Sequence, residues 1–252
     1  MSATQLAIVT GASRGLGLAI AQALLEKHYA VLTISRKPDS GLAAHAVKGG
    51  AKLEQWAADV AQDDLAVRVE SWLHDLTATS YERAVLVNNA GILGRVGAVE
   101  KMDAATLASV LRVDLEAPAL LSAAFLRATR AWRAERRVLN VSSGAGRVAI
   151  AGWAAYCAAK AGLDQLSRVM ALDEALLPNP AKIVSLAPGV IDTEMQTQLR
   201  ASNEQEFPTL QRFKEFKATG QLAAPADAAT RLVAFLERKD FGAVPVADVR
   251  TD

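Results

Sequence analysis

Short apolar runs rich in β-branched residues alternate along this chain with longer stretches of helical period, the pattern of a parallel sheet wrapped by helices. The runs predicted as strands are Leu6 to Val9, Ala30 to Ser35, Leu53 to Ala58, Ala84 to Asn88, Val138 to Ser142, Ile183 to Leu186 and Ala243 to Val246. Helical patterns run from about Gly15 to Lys27, Asp63 to Leu76, Ala104 to Ala131, Ala154 to Leu177 and Pro225 to Arg238. Asp103 stands where an N-cap belongs, and Pro225 where a first-turn proline is tolerated. The predicted fold class is α/β, a doubly wound parallel seven-stranded sheet with helices on both faces.

No linker rich in Pro, Gly or Ser and no internal repeat breaks this rhythm, so residues 1–252 read as a single domain. The irregular stretch is 194–222, where Met195, Leu199, Phe207, Leu210, Phe213 and Phe216 are set among polar residues. They predict one or two short helices lying over something. The stretch is either a surface excursion or a substrate lid, and its length favours the lid.

Composition closes off several classes. A chain of 252 residues with 51% hydrophobic content is no disordered segment and needs no disulfide or metal staple to hold its core. Its 28 Lys and Arg against 27 Asp and Glu leave a net charge of +1, with the signs interleaved, which argues against nucleic-acid and membrane-surface partners. The densest basic stretch, from Arg127 through Arg130, Arg133 and Arg136 to Arg137, is broken by Glu135 and reads as a solvated helix end. Cys157 has no cysteine to pair with and reads as a small packed residue, and His28, His45 and His74 lack metal-ligand spacing. No metal is expected. Met1 to Gln5 holds no basic segment, and the apolar run after it stops at Gly11, which predicts a cytoplasmic protein.

Directly after the first strand comes Thr10-Gly11-Ala12-Ser13-Arg14-Gly15-Leu16-Gly17, opening a helix. Glycines there permit a tight turn and a close backbone approach to a pyrophosphate, which the unpaired N–H groups of the helix N-terminus then receive. This context marks a dinucleotide-binding, Rossmann-type fold, with Gly11, Ser13, Arg14, Gly15, Leu16 and Gly17 as cofactor contacts. An acidic residue at the end of the second strand usually holds a free ribose 2′-hydroxyl, but here that strand ends in Arg36-Lys37. A guanidinium suits a 2′-phosphate, and Arg14 can close on it from the other side, so NADP(H) is preferred over NAD(H).

Ser143 ends the fifth strand, and Tyr156 and Lys160, four residues apart, share one face of the next helix. An ammonium beside a phenol stabilises the phenolate, which lets Tyr156 serve as general acid in carbonyl reduction or base in alcohol oxidation. Ser143 would hold the substrate oxygen.

At this point the chain resembles the short-chain dehydrogenase/reductase family over essentially its whole length. The matching motifs are TGASRGLG at 10–17, Asp59-Val60, Asn88-Asn89-Ala90-Gly91, Ser142-Ser143, Tyr156 to Lys160, and Pro188-Gly189-Val190-Ile191-Asp192-Thr193. The resemblance implies that Asp59 and Val60 contact the adenine, that Asn89, Ala90 and Gly91 line the cofactor cleft, that Lys160 also binds the nicotinamide ribose, and that Pro188, Gly189, Ile191 and Thr193 hold the carboxamide. It also implies a homodimer or homotetramer. One position departs from the pattern: Asp114 stands where the family has a catalytic asparagine whose main-chain carbonyl holds a relay water. Pro118, four residues on, has no N–H, so the Asp114 carbonyl keeps its freedom for that role, while the carboxylate adds a negative charge beside the relay.

The C-terminal stretch from Lys239 to Asp248 is similar to the sepiapterin reductase branch, which includes bacterial benzil reductases, and lacks the Val-Asp-Gly-Gly tail of 3-oxoacyl reductases and sugar dehydrogenases. By that resemblance Asp248 anchors a pterin or is a surface residue. Trp153 is an aromatic wall or helix-start packing, and Leu93 lines the same pocket. The expected activity is NADPH-dependent reduction of a small-molecule ketone, dicarbonyl or pterin side-chain carbonyl. The alternatives are a 3-oxoacyl or steroid-type ketone and, in another class, a non-catalytic NADP(H)-sensing protein.

Overall fold

The computed structural model describes residues 4–76 and 81–251. Seven strands form one all-parallel sheet: β1 (Gln5–Thr10), β2 (Ala30–Ser35), β3 (Leu53–Ala57), β4 (Arg83–Asn88), β5 (Glu135–Val141), β6 (Lys182–Ala187) and β7 (Val246–Asp248). Their order is β3-β2-β1-β4-β5-β6-β7, so the winding reverses between β1 and β4. A crevice opens at such a reversal, beyond the carboxyl ends of the strands, and ligands bind there in sheets of this kind. The Rossmann-type expectation is met.

Alternation along the strands sends residues to two cores. Leu6, Ile8, Leu86, Val138 and Ile183 face one side, where α3 (Leu65–Asp75) contributes Val69 and Leu73, and α5 (Ala117–Ala128) contributes Leu121 and Phe125. Ala7, Val9, Val85, Val87, Leu139 and Val184 face the other, against Ile20 and Leu24 of α1 (Gly15–Glu26) and Leu232 and Leu236 of α9 (Pro225–Glu237). Each fully buried leucine of this kind stabilises the fold by roughly 1.5–3 kcal/mol. These two layers hold the strand ends still, which is what the site requires of them.

Several elements depart from the sequence-based prediction. The predicted helix from Ala104 to Ala131 is three pieces: α4 (Ala104–Leu111), a π-helical stretch at Arg112–Glu116, and α5. Pro118 cannot donate to the Asp114 carbonyl, and the chain answers by widening its turn, with the Ala117 N–H reaching back to Arg112. The Asp103 carboxylate caps α4 by accepting from the Thr106 N–H at 2.8 Å, as expected. A short helix at Ser40–Gly49, α2, went unanticipated; Asp39 accepts from the Leu42 N–H at its start and Gly50 ends it in the left-handed conformation. The last strand begins at Val246 rather than Ala243, because Pro245 has no N–H and offers only its carbonyl, which accepts from Ser185.

The basic stretch is not a solvated helix end. Arg136 and Arg137 follow Glu135 at the start of β5 and are 1% and 2% exposed. Arg136 pairs with the buried Glu174, while Arg137 pairs with Glu135 at 2.7 Å and donates to the Arg238 carbonyl at 2.9 Å. Of that stretch, Arg127 and Arg133 are the exposed ones. Helix α6 (Ala154–Ala175) follows β5 and carries the Tyr156 and Lys160 pair. Two short helices, α7 (Glu194–Arg200) and α8 (Leu210–Ala218), occupy the stretch expected to hold them.

Candidate active site

The glycine loop between β1 and α1 is braced against β4. Thr10 Oγ1 accepts from the backbone N–H groups of Asn89 and Ala90, each at 3.0 Å, and the Asn89 amide donates back to the Thr10 carbonyl at 3.0 Å. Asn89 thus props the loop from its side of the crevice. Gly11 has φ +70°, and a Cβ there would stand 2.8 Å from the Ala90 Cα; a Cβ on Gly17 would run into the Gly11 carbonyl and the Asn89 amide. The backbone reserves this space at a helix N-terminus, with Ser13 partly open beside it, so the residues present fit a dinucleotide pyrophosphate.

Arg36 is exposed just past β2 and has no ion-pair partner among the described residues. Arg14 pairs with Glu194, the first residue of α7, and both are exposed. That contact ties the glycine loop to the short helices, and Arg14 must leave it to meet a phosphate. Asp59 follows β3 with its carboxylate capping a local turn, accepting from the Ala61 N–H at 3.0 Å, and Val60 packs against the core. Thr193 lies against the glycine loop, its Cγ2 3.4 Å from where a Gly15 Cβ would be.

Around the crevice lies a cavity of about 700 Å³. Leu16, Asn89, Gly91, Pro188, Gly189, Ile191 and Thr193 line its cofactor side; Ser143, Tyr156 and Lys160 line its centre; Trp153, Phe213 and Phe216 line its far wall. The expected serine, tyrosine and lysine therefore meet in one place. Ser143 Oγ accepts from the Ala145 N–H at 3.2 Å, and Lys160 Nζ donates to the Val141 carbonyl at 3.1 Å. Lys160 also stands 5.6 Å from the Tyr156 ring centre.

The departure at Asp114 is a contact. Its carboxylate, fully buried, lies 3.2 Å from Lys160 Nζ and accepts from the Ile92 N–H at 2.8 Å. The widened turn at Arg112–Glu116 carries this side chain to the lysine. Burial pushes the Tyr156 phenol above its ordinary pKa; Lys160 works against that rise, Asp114 adds to it, and a hydrogen bond with Ser143 opposes it. Burial opposes the charge on Lys160, yet Asp114 and Tyr156 hold its pKa above the ordinary value. Burial likewise raises the Asp114 carboxyl, against the pull of Lys160 and the Ile92 N–H. The arrangement keeps a protonated phenol beside a charged lysine at neutral pH.

Two substrate-side expectations change. Asp248 does not line the cavity; its carboxylate takes Arg250 in two hydrogen bonds of 2.8 and 2.6 Å, and Arg250 is the side chain that faces the cavity. Asp248 closes β7, and Arg250 lies two residues beyond it. Leu93 is not in the lining either but sits in the apolar cluster behind it, with Trp153 and Tyr156. Trp153 serves as wall and packing together, with its ring 5.6 Å from Tyr156, 5.5 Å from Phe207 and 5.3 Å from Phe213. Cys157 is partly buried in the same cluster, as expected of a packed residue.

One positioning residue escaped the sequence reading. Asp164, a turn beyond Lys160 and 2% exposed, accepts from Ser142 and Ser185, each at 2.6 Å, and from Arg147 at 3.0 Å. It fixes the ends of β5 and β6 against α6 and so fixes where Ser143 begins. The signal was its helical spacing from Lys160 together with the Ser142-Ser143 pair. Among the described residues no group of acidic, histidine or cysteine side chains is placed to hold a metal, and no helix is long and apolar enough to cross a membrane.

Comparison with known proteins agrees with this geometry. The chain is 34% identical over 236 residues to the benzil reductase ((S)-benzoin forming) of Bacillus cereus, covering 93% of this chain and 94% of that one. It is 30% identical over 245 residues to the sepiapterin reductase of Rattus norvegicus, covering 93% and 92%. The crystal structure of the KRED1-Pglu enzyme superposes with a TM-score of 0.80 at 27% identity, covering 95% of this chain and 98% of that one. The family model described as short chain dehydrogenase matches residues 5–204. With the glycine loop at the sheet's switch point and Ser143, Tyr156 and Lys160 around one cavity, the chain belongs to the short-chain dehydrogenase/reductase family, oxidoreductases that act between carbonyl and alcohol with a nicotinamide cofactor.

Proposed function

We propose that this protein is an NADPH-dependent carbonyl reductase for small aryl ketones and vicinal diketones. The observation that carries the reading is the cavity itself, in which Tyr156 and Ser143 meet a wall built from Trp153, Phe213 and Phe216. A flat aromatic substrate buries its rings there, and its oxygen points at the phenol. The similarity to benzil and sepiapterin reductases supports substrates with a carbonyl beside a planar group.

Gly11 to Gly17 would hold the pyrophosphate, Arg36 the 2′-phosphate, and Pro188 to Thr193 the nicotinamide end. When bound, NADPH supplies the hydride that adds to the carbonyl carbon. The chain does the rest. The Ser143 hydroxyl donates to the substrate oxygen and sets its direction; the Tyr156 O–H gives that oxygen its proton as negative charge develops there. Lys160 steadies the resulting phenolate, and Asp114 holds Lys160 from behind. The α7–α8 segment serves as a lid that keeps water from the reacting oxygen. A proton is consumed for each carbonyl reduced, and Tyr156 recovers it from solvent.

The test is NADPH consumption with benzil, a phenyl vicinal diketone, sepiapterin and a 3-oxoacyl thioester. Turnover of the aryl diketones and its loss in Tyr156→Phe are expected. Exclusive turnover of the thioester, or benzil reduction that survives Tyr156→Phe, overturns the reading.

A further inference from the structure

The cavity that would take the ketone has an uneven charge. Three cationic side chains line it, Lys160, Arg212 and Arg250, and among the described residues no aspartate or glutamate does. Two of the three are answered close by, Lys160 by Asp114 and Arg250 by Asp248. Arg212, exposed at the rim on the first turn of α8, has no acidic partner among the described residues; its guanidinium rests 5.3 Å from the centre of the Phe216 ring.

A succession of ring contacts connects this charge to the reacting centre. Tyr156 meets Trp153 at 5.6 Å, Trp153 meets Phe213 at 5.3 Å, Phe213 meets Phe216 at 5.8 Å, and Arg212 lies over Phe216. The cation therefore stands across an aromatic wall from the phenol, at the end where the far side of a planar substrate would lie. The lining also holds buried polar atoms without partners among the described residues: the Trp153 indole N–H, the hydroxyl of Thr209, which precedes α8, and the Gln196 side-chain oxygen. Trp153 is 7% exposed, and its N–H meets no protein acceptor among the described residues, a cost that a ligand acceptor would relieve. An indole N–H and a guanidinium only donate and a hydroxyl can donate, and the guanidinium, standing over a ring, offers a fork of donors to a planar anion.

We propose that the cavity selects aryl ketones that carry an anionic group on the side of the molecule away from the reacting carbonyl, with Arg212 as the residue that reads the charge. The proposal rests on the carbonyl-reductase reading above and narrows its substrate class. Because Arg212 sits on α8, the same contact would draw the short helix down over the ring and close the cavity once the anion is bound.

The test compares para-carboxybenzil with its methyl ester, which share the diketone and the rings and differ in the charge. In the unmodified protein with NADPH the acid is expected to have a kcat/KM at least tenfold above the ester. In Arg212→Gln the ratio falls to about one, whereas Arg133→Gln, a change of the same kind at an exposed site remote from the cavity, keeps the original ratio. A ratio near one in the unmodified protein, or a preference that Arg212→Gln does not alter, overturns the proposal. Benzil itself separates the two readings: benzil reduced with no preference for the acid retires the charge selection alone. If no diketone is reduced, the catalytic reading falls, and calorimetric titration of the NADP⁺-loaded protein with the acid and the ester decides the anion site without turnover. Tighter binding of the acid that disappears in Arg212→Gln sustains the site; equal binding overturns it.

Discussion

The carboxylate of Asp114 lies 3.2 Å from the ammonium of Lys160, and both side chains are shut away from solvent. A buried pair of this kind is satisfied only as a pair: Lys160 also donates to the Val141 carbonyl and Asp114 Oδ1 accepts from the Ile92 N–H, while Asp114 Oδ2 has only its ion contact with the lysine. The lysine that sets the acidity of Tyr156 is thus partly neutralised before any ligand arrives. Asp114 acts as a positioning residue through Lys160 and shifts the phenol upward.

Asp114→Asn follows from that relationship. An amide still accepts from the Ile92 N–H, and the main-chain carbonyl, to which Pro118 cannot donate, is unchanged, so activity stays within about tenfold, a barrier change of roughly 1.4 kcal/mol. Removing the carboxylate leaves the lysine charge less compensated, and the phenol pKa falls. In the direction of reduction the acid form of Tyr156 is the working form, so the alkaline limb of the rate profile moves to lower pH in the variant. The measurement is kcat/KM against pH for both proteins; an unmoved limb would show that the carboxylate does not reach Tyr156 through Lys160.

Lys160→Met removes the other partner. Asp114 is then left buried against the Ile92 N–H alone, and breaking a buried pair from one side costs about 3–5 kcal/mol of stability. Restoring neutrality with Asp114→Leu in the same chain should recover much of that loss while activity stays absent. Urea unfolding of the single and double variants checks it; equal stability of the two would mean the carboxyl is protonated at neutral pH.

How far the sequence spoke for itself depended on whether a feature was local. The glycine loop, the Tyr156 and Lys160 spacing and the alternation of strands and helices are written within a few residues each, and all are where they were expected. What was hidden depends on partners distant in the chain. Arg136 and Arg137 looked like solvated charges until Glu174 and the chain just past α9 came round to meet them. The Asp114 side chain reached Lys160 because a proline four residues on forced a wider turn, and the sequence showed the proline but not the direction of the turn. Of the two readings of Asp248, the pterin anchor is not met, because its carboxylate is held by Arg250 and lies outside the cavity lining.

Arg36 governs the choice of cofactor if the guanidinium takes the 2′-phosphate. Arg36→Asp should reverse part of the preference by repelling that phosphate and offering a carboxylate to a ribose hydroxyl, lowering the NADPH to NADH ratio of kcat/KM at least tenfold. Arg14 contributes less, since it must first leave Glu194. Initial rates with each cofactor at fixed ketone decide this, and a ratio that Arg36→Asp leaves unchanged removes the assignment.

Glu135 gives the fold a pH dependence apart from the chemistry. Its carboxylate receives hydrogen bonds from Arg83 at 3.0 Å, Arg137 at 2.7 Å and Lys182 at 2.7 Å, where β4, β5 and β6 begin. Burial alone would raise its pKa, but the hydrogen bonds and charge of Arg137, with those of Lys182 and Arg83, bring it down to about 2. A carboxyl with a lowered pKa in the folded state contributes stability that is fully present above its unfolded value of about 4.3 and is lost as pH falls through about 2. The group is partly open to solvent, so screening reduces the contribution, and high salt should shrink it further. Glu135→Gln is therefore less stable than the unmodified protein at pH 7, and the gap between their urea midpoints closes progressively between about pH 4 and pH 2. Glu82→Gln, an exposed neighbour outside this cluster, should show a small gap with no such closure. A gap for Glu135→Gln that persists unchanged to pH 2 would mean that packing, not the charge, ties the three strands together.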